Sequence, residues 1–198
     1  MSLYSMGRAG TVAIDRILKW QHGVFEYSQD PSCILRISRV RSPRRVVLSD
    51  GEQIDAGSPL LSLHLWNERI SQFAAEDRLS GARLLRGMRF SLAELAAVVN
   101  SRPESQDVRG LYAETGFIQD ASMEQAQRIL CRLGFDLIEG EKPGWSVFRA
   151  AFWRNVFSWW LLRAFNPGSA DMKSFPELRR CEVWMSRARL HEIYSARS

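Results

Sequence analysis

His64 is the residue whose type and position best suit chemistry. It lies near the end of Val46–Arg69, VVLSDGEQIDAGSPLLSLHLWNER, where glycine turns precede a predicted strand over Ser58–Trp66. Side chains alternate along a strand, so we predict two faces: Leu61, Leu63 and Leu65 inward, and Ser62, His64 and Trp66 opposite. An imidazole on the polar side can act as a general base. The alternative is a histidine hydrogen-bonded between strand and helix for structural reasons.

Four residues are candidates to complete a site with His64. Asn67 is the predicted N-cap of the next helix and a second catalytic candidate, which would orient His64 or the substrate. Backbone N–H groups at that helix start can hold an anion or a developing oxyanion. Trp66, Arg69 and Tyr112 are the predicted ligand-binding residues near His64.

Motifs for a metal, a cofactor or a serine nucleophile are missing from the sequence. Cys33, Cys131 and Cys181 are far apart and form no CxxC pair, so we predict no metal site and no disulfide framework. No glycine-rich phosphate loop precedes a helix, and no GxSxG elbow is present. The sequence therefore predicts no cofactor.

Arginine dominates the basic residues. Of 27 Lys and Arg residues only three are lysine, and the net charge is +5. Arg36 and Arg39 belong to a cluster around a predicted strand, and both are candidates to bind phosphate or carboxylate. The alternative is a solvated face in an arginine-rich protein. Nucleic acid is not a predicted partner, because the charge is modest and no nucleic-acid-binding motif accompanies it.

The segment Trp145–Phe165, WSVFRAAFWRNVFSWWLLRAF, predicts a helix that is apolar on nearly all sides. Such a helix is buried in a core or an oligomer, lies on a membrane surface, or lines an acyl-chain pocket. Its three arginines argue against a transmembrane span. These alternatives leave a homo-oligomer and a peripheral membrane contact open as partners.

Length and composition predict a single domain over residues 1–198. The amino terminus lacks a basic region followed by an apolar core, so we predict no secretory signal. The unpaired thiols suit a reducing compartment. We therefore predict a cytoplasmic protein, with the inner membrane face as a further location if Trp145–Phe165 contacts lipid.

The order of predicted elements gives an α+β fold: a mixed, largely antiparallel sheet with helices on at least one face and one βαβ unit. That unit is predicted over Val108–Ile138, and Ser58–Trp66 is predicted as a central strand. The other predicted strands are Phe25–Tyr27, Ile34–Val40, one beginning over Arg44–Ser49, Val108–Tyr112, Phe135–Ile138 and Val183–Met185. The predicted helices are Thr11–Trp20, Glu68–Gly87, Leu92–Asn100 after a capping box at Ser91–Glu94, Ser122–Leu133 ended by Gly134, Trp145–Phe165 and Arg187–Tyr194.

Several groups of residues, in order along most of the chain, resemble the YkoP-like domain family. They are Asp50-Gly51, Ile54, Gly57 and Leu63-His64-Leu65-Trp66-Asn67, then Gly110-Leu111-Tyr112 with Thr115, Leu133-Gly134-Phe135, Phe165-Asn166-Pro167, and Glu182–Arg187 with Leu190 and Tyr194. The resemblance implies a bacterial protein linked to envelope glycans or lipids, since this domain also occurs beside polysaccharide-deacetylase-like domains. The chain has none of the deacetylase metal motifs, and the resemblance carries no established reaction.

Three functions remain open at this point. The first is a small transferase or hydrolase acting on an acylated or glycan-linked envelope metabolite, with His64 as base and arginines holding an anionic group. The second is a non-catalytic binding or scaffold module in which His64 is structural. The third is a peripheral membrane protein whose Trp-rich segment is the functional part.

Overall fold

The computed structural model describes residues 23–66, 69–70, 81–118, 127–139 and 178–195. Its strands are β1 (Leu35–Arg41), β2 (Val46–Val47), β3 (Gln53–Ile54), β4 (Pro59–Leu65), β5 (Gly110–Ile118), β6 (Asp136–Glu139) and β7 (Leu178–Ser186). Its helices are α1 (Gly81–Ser101), a 3-10 turn (Pro103–Ser105) and α2 (Arg187–Tyr194), and residues 127–132 are also helical. Among the described residues, no helix is long and apolar enough to cross a bilayer.

The main sheet has five strands in the order β1-β4-β5-β7-β6. Only β4 and β5 run parallel, and their connection contains α1, so the sheet is mixed, largely antiparallel and holds one βαβ unit. The fold class is confirmed, and β4 is an interior strand. The predicted position of the βαβ unit, Val108–Ile138, is wrong. β7 lies between β5 and β6 and pairs antiparallel with both.

The capping box predicted at Ser91–Glu94 is wrong, because α1 runs without interruption through Ser91. The Ser91 hydroxyl donates to the Gly87 carbonyl at 2.7 Å, one turn earlier, and accepts from the Ile34 backbone N–H at 2.8 Å. A mid-helix serine can satisfy its hydroxyl in this way without ending the helix. Ser91 therefore joins α1 to the chain just before β1.

Other predicted elements differ in length. Phe25–Tyr27 is reduced to one bridge between Phe25 and Ile37, and the strand expected over Arg44–Ser49 is only Val46–Val47. The strands expected over Val108–Tyr112 and Val183–Met185 each have nine residues in the structure, Gly110–Ile118 and Leu178–Ser186. The helix over Arg187–Tyr194 is confirmed. Of the helix predicted over Ser122–Leu133, residues 127–132 are helical, and Gly134 follows them with a positive φ. The predicted helices Thr11–Trp20 and Trp145–Phe165 lie outside the described residues, as does most of Glu68–Gly87 before α1.

The two faces of the main sheet carry different cores. α1 and α2 pack on the face that presents Ile37, Leu61, Leu111 and Met185, which forms the larger core. On the other face, the small β2–β3 sheet covers one part, and a second core forms there from Val46, Leu48, Ile54, Leu60, Tyr112 and Trp184. The rest of that face carries polar side chains.

Gly110 holds the start of β5 close to the end of β7. A Cβ at this position would lie 2.5 Å from the Met185 carbonyl oxygen, well inside contact distance. The backbone approach therefore requires glycine, and it sets the register from which Tyr112 and Glu114 follow on one face of β5.

The inward leucines of β4 provide a test of this register. Leu61 is buried in the larger core, Leu63 is half-buried, and Leu65 is 51% exposed. The sequence placed all three inward, and only Leu61 is fully covered. We expect Leu61→Ala to lower the free energy of unfolding by about 2–5 kcal/mol. Leu65→Ala, the matched control, should stay within about 0.5 kcal/mol in urea denaturation. Equal effects would contradict the register.

Candidate functional site

A set of polar side chains shares one face of the main sheet, opposite α1 and α2. We call this set the polar face: Arg36, Ser38, Ser62, His64, Tyr112, Glu114 and Glu182. The strand register brings them together, because Arg36 pairs with His64, Ser38 with Ser62, Ser62 with Tyr112, and Glu114 with Glu182. Residues directly opposite each other in a sheet point to the same side.

His64 is half-buried and lies beside a buried hydroxyl. Its Nε2 atom is 2.9 Å from Ser38 Oγ, and which of the two atoms donates depends on the imidazole tautomer. Ser38 is 1% exposed. The His64 ring is therefore held by Ser38 across the β1–β4 strand pair.

Two carboxylates lie on the β5 and β7 part of the polar face. The Tyr112 hydroxyl donates to Glu114 Oε1 at 2.9 Å, and Glu114 is exposed. Glu182 Oε2 accepts from Trp184 Nε1 at 3.2 Å and from the Arg44 guanidinium at 2.7 and 3.1 Å. The Arg44 ion pair balances the charge of Glu182, while Glu114 stands closer to solvent.

Trp66, just after β4, lies between two arginines. The guanidinium carbons of Arg36 and Arg69 are 4.0 and 3.5 Å from the Trp66 ring centroid. Arg36 is buried and also pairs with Glu26 at 3.1 Å, while Arg69 donates to the Cys33 carbonyl at 2.8 Å. Guanidinium groups favour aromatic faces in this way. The stack fixes the chain two residues beyond His64, and it occupies Trp66 with protein groups.

The structure brings together some of the residues predicted from the sequence. His64, Arg36 and Tyr112 share the polar face, and Trp66 and Arg69 stack at its edge. Asn67 lies outside the described residues. Arg39 lies on the opposite face, where it donates to the Glu104 carbonyl at 2.7 Å and pairs with Asp107.

Arg39 also lines a cleft on the helix side of the sheet, with Ile37, Leu61, Val99 and Arg102 among its neighbours. The cleft has a volume of about 50 Å³. None of the residues of the polar face is among those that line it.

Sequence reasoning missed Ser38, Glu114 and Glu182 as site residues. The predicted strand ended at Tyr112. Continuing its alternation for two more residues would have placed Glu114 on the same face as Tyr112. Likewise, the strand predicted over Val183–Met185 began one residue after Glu182. Alternation along the predicted strand Ile34–Val40 puts Ser38 on the same face as Arg36, but nothing in the sequence indicates that Ser38 meets His64.

Within the described residues, no group of three or more His, Cys, Asp or Glu side chains is arranged to hold a metal ion. The groups that the polar face offers are an imidazole, hydroxyls, carboxylates and a guanidinium. These suit proton transfer and hydrogen bonding to a polar ligand.

The fold and this face define a small α+β domain with one helix-covered side and one polar side. A family model described as the YkoP domain matches residues 12–194, and the chain belongs to that family. The resemblance seen in the sequence is thereby confirmed. No curated protein and no solved structure matches the chain.

Proposed function

We propose that this protein is a transferase or hydrolase that acts on an acylated or glycan-linked metabolite of the bacterial cell envelope, with His64 as general base. The envelope assignment follows from the family resemblance. The chemical assignment depends on one observation, the half-buried His64 imidazole on the polar face with its Nε2 atom 2.9 Å from Ser38.

The composition of the polar face supports this assignment. The part of this sheet face beneath β2–β3 packs Leu60, Tyr112 and Trp184 in an apolar core, as a purely structural face does. Beyond it, β1 and β4 bury Arg36, Ser38 and Ser62 on the same face. Burying polar groups costs free energy unless they are paired, and here Ser38 is paired with His64 and Arg36 with Glu26. The polar face therefore holds a hydrogen-bonded set of side chains where a simple packing face would hold apolar ones.

The reaction that we propose needs a general base and polar side chains around the substrate. The imidazole takes the proton of a water or an acceptor hydroxyl, and that oxygen attacks the acyl carbonyl carbon. The carbon–oxygen bond to the leaving group then breaks. The imidazolium returns the proton to the leaving oxygen, so His64 ends each cycle neutral. Water as the attacking group gives hydrolysis, and an acceptor hydroxyl gives transfer.

A non-catalytic binding module is the second candidate, and the arginine–tryptophan stack favours it. Arg36, Trp66 and Arg69 hold each other and the neighbouring backbone in place, as a preorganised recognition surface requires. In that case His64 contributes hydrogen bonds to a ligand and performs no proton transfer. Attachment to the inner membrane face, a membrane or oligomer contact through Trp145–Phe165, and a cytoplasmic location all stay predictions.

Untargeted metabolite profiling separates these candidates. The purified protein is incubated with a polar and lipid extract of its host, and masses are compared before and after. We expect wild type and His191→Ala to consume at least one metabolite that His64→Ala leaves intact. His191 is the matched control, because it lies on α2 and contacts Ser195, away from the polar face.

The other outcomes of the profiling test the binding module and the role of His64. A metabolite that copurifies with wild type, unchanged in mass and absent from His64→Ala, would support the binding module and overturn catalysis. Consumption that continues in His64→Ala would overturn the role of His64 while leaving an enzyme in place.

A further inference from the structure

We propose that Arg69 binds an oxyanion of the ligand, a phosphate or carboxylate group, so that the substrate of the polar face is an anion held at the Trp66 edge. The substrate class rests on the proposed function above. Anion binding at Arg69 does not, because it can be measured with simple salts and without turnover.

The structure separates Arg69 from the two arginines that the sequence favoured for binding phosphate or carboxylate. Arg36 is ion-paired with Glu26 at 3.1 Å, and Arg39 pairs with Asp107 on the helix-covered side of the sheet. Among the described residues, no carboxylate forms an ion pair with Arg69. Arg69 therefore brings to the edge of the polar face a positive charge that the described part of the chain does not neutralise.

Asp30 lies next to Arg69 but does not balance its charge. The Asp30 backbone carbonyl accepts a hydrogen bond from Arg69 Nη1, while the Asp30 carboxylate oxygen Oδ1 accepts from the Ser32 backbone N–H at 2.7 Å. The Cys33 carbonyl accepts from the same Nη1 atom at 2.8 Å. Carbonyl groups carry no net charge, so these two hydrogen bonds fix the guanidinium and leave its charge unpaired.

The other edge of the Arg69 guanidinium suits an oxyanion. Nη1 serves the two carbonyls, and Nε and Nη2 are donors that lie side by side on the planar group. Arg44 uses this same edge within the protein, since its Nε and Nη2 atoms donate to Glu182 Oε2 at 3.1 and 2.7 Å. Among the described residues, Arg69 presents the edge without such an acceptor.

Trp66 holds the Arg69 guanidinium in place and relates it to His64. The guanidinium carbon lies 3.5 Å from the Trp66 ring centroid, and Arg69 is half-buried. A guanidinium that is already stacked and hydrogen-bonded loses less freedom when it binds an anion. Trp66 follows His64 by two residues, which is about 7 Å along an extended chain. A ligand of that length spans both groups, with its anion at Arg69 and its reacting end at His64.

NMR titrations with inorganic phosphate and with acetate test anion binding. Sodium chloride keeps the ionic strength constant, because salt screens nonspecific attraction to exposed arginines. We expect the Arg69 Nε–H and Trp66 Nε1–H signals of wild type to shift and saturate with at least one anion, and the tighter anion names the ligand group. Arg86→Gln is the matched control, since it removes an exposed arginine of α1, and it should titrate like wild type.

Two variants of Arg69 separate paired donors from a general effect of charge. Arg69→Gln should abolish the saturable shift of Trp66. Arg69→Lys keeps the charge but not the side-by-side donors, and it should weaken binding about tenfold or more, the usual cost of losing a hydrogen bond to a charged group. Backbone amide spectra confirm that each variant is folded. If Arg69→Gln does not fold, the titrations of wild type and Arg69→Lys decide the matter.

Three results would overturn anion binding at Arg69. One is a wild-type protein whose Arg69 and Trp66 signals do not shift, or shift without saturation, with both anions. Another is wild-type binding in folded Arg69→Gln, because the anion would then lie elsewhere. The third is an unchanged affinity in Arg69→Lys, which would show an effect of charge alone.

Turnover tests the substrate class separately. A metabolite that the protein consumes should contain a phosphate or carboxylate group, and Arg69→Gln should raise KM about tenfold or more with little change in kcat, because the anion is bound equally before and during the reaction. Consumption of a neutral metabolite, unchanged in Arg69→Gln, would overturn the substrate class. If phosphate or acetate binds at Arg69 but wild type consumes nothing, the proposed function fails and the anion site stands.

Discussion

Replacing Trp184 by alanine is expected to lower the free energy of unfolding by about 3–5 kcal/mol, a large part of the stability of a domain of this size. Trp184 is fully buried in the smaller core, and its ring meets Tyr112 edge-on at a centroid distance of 4.7 Å. Its Nε1 atom also donates to Glu182. Alanine removes the ring contact with Tyr112 and the hydrogen bond to Glu182, and it leaves a cavity beneath β2–β3.

Urea denaturation, monitored by circular dichroism, measures this loss in the free energy of unfolding. Val47→Ala is the control. Val47 belongs to the β2–β3 sheet, which covers Trp184, but its side chain is 65% exposed. It should change the free energy of unfolding by no more than about 0.5 kcal/mol. A Trp184→Ala midpoint equal to that of wild type would show that the smaller core does not hold β2–β3 on the sheet.

The Trp184 variant also bears on the polar face. Tyr112 packs against Trp184 and donates to Glu114, so the ring contact helps to set where that carboxylate stands. The smaller core and the site therefore share residues. Damage to packing at Trp184 should spread to the site, and for this reason site variants must be chosen among residues outside that core.

Local patterns in the sequence predicted the faces of strands well. Alternation over Ser58–Trp66 correctly placed Ser62 and His64 opposite Leu61, because side-chain period in a strand is a local property. By the same rule, Arg36 and Arg39 are three residues apart on β1 and fall on different faces, and the structure pairs Arg36 with His64 and Arg39 with Leu61. The amphipathic helix over Arg187–Tyr194 was likewise predictable from its own residues.

Long-range pairing could not be predicted in the same way. The strand–helix–strand pattern over Val108–Ile138 correctly suggested two strands with the same direction, but nothing local indicated that β7 would insert between them. Ser91 shows the same limit, since its contact with Ile34 spans 57 residues. A capping box and a mid-helix serine that hydrogen-bonds to a distant segment have the same local sequence.

The candidate site was only partly predictable for the same reason. His64, Arg36 and Tyr112 were predicted from residue type, because a guanidinium, imidazole or phenol group on a strand is a candidate site residue by its chemistry alone. Ser38 is an ordinary residue whose importance depends on its distance to His64. Glu182 depends on the pairing of β7 with β5, which only the folded chain provides.

The second large effect is expected at His64. His64→Gln keeps a polar side chain that can still hydrogen-bond, but it cannot take a proton near neutral pH. If the imidazole is the base of the reaction, kcat should fall by about 10²–10⁴-fold, the usual contribution of a general base. The melting temperature should stay close to that of wild type, because His64 is only half-buried and outside both hydrophobic cores.

The measurement that tests the proposed function most directly is kcat of wild type, His64→Gln and His191→Gln on a metabolite that the wild-type protein consumes. We expect a loss of at least about 10²-fold in His64→Gln. His191→Gln should keep the wild-type rate, and all three proteins should have the same fold by circular dichroism. A folded His64→Gln variant with a kcat equal to wild type would contradict the assignment of His64 as the base.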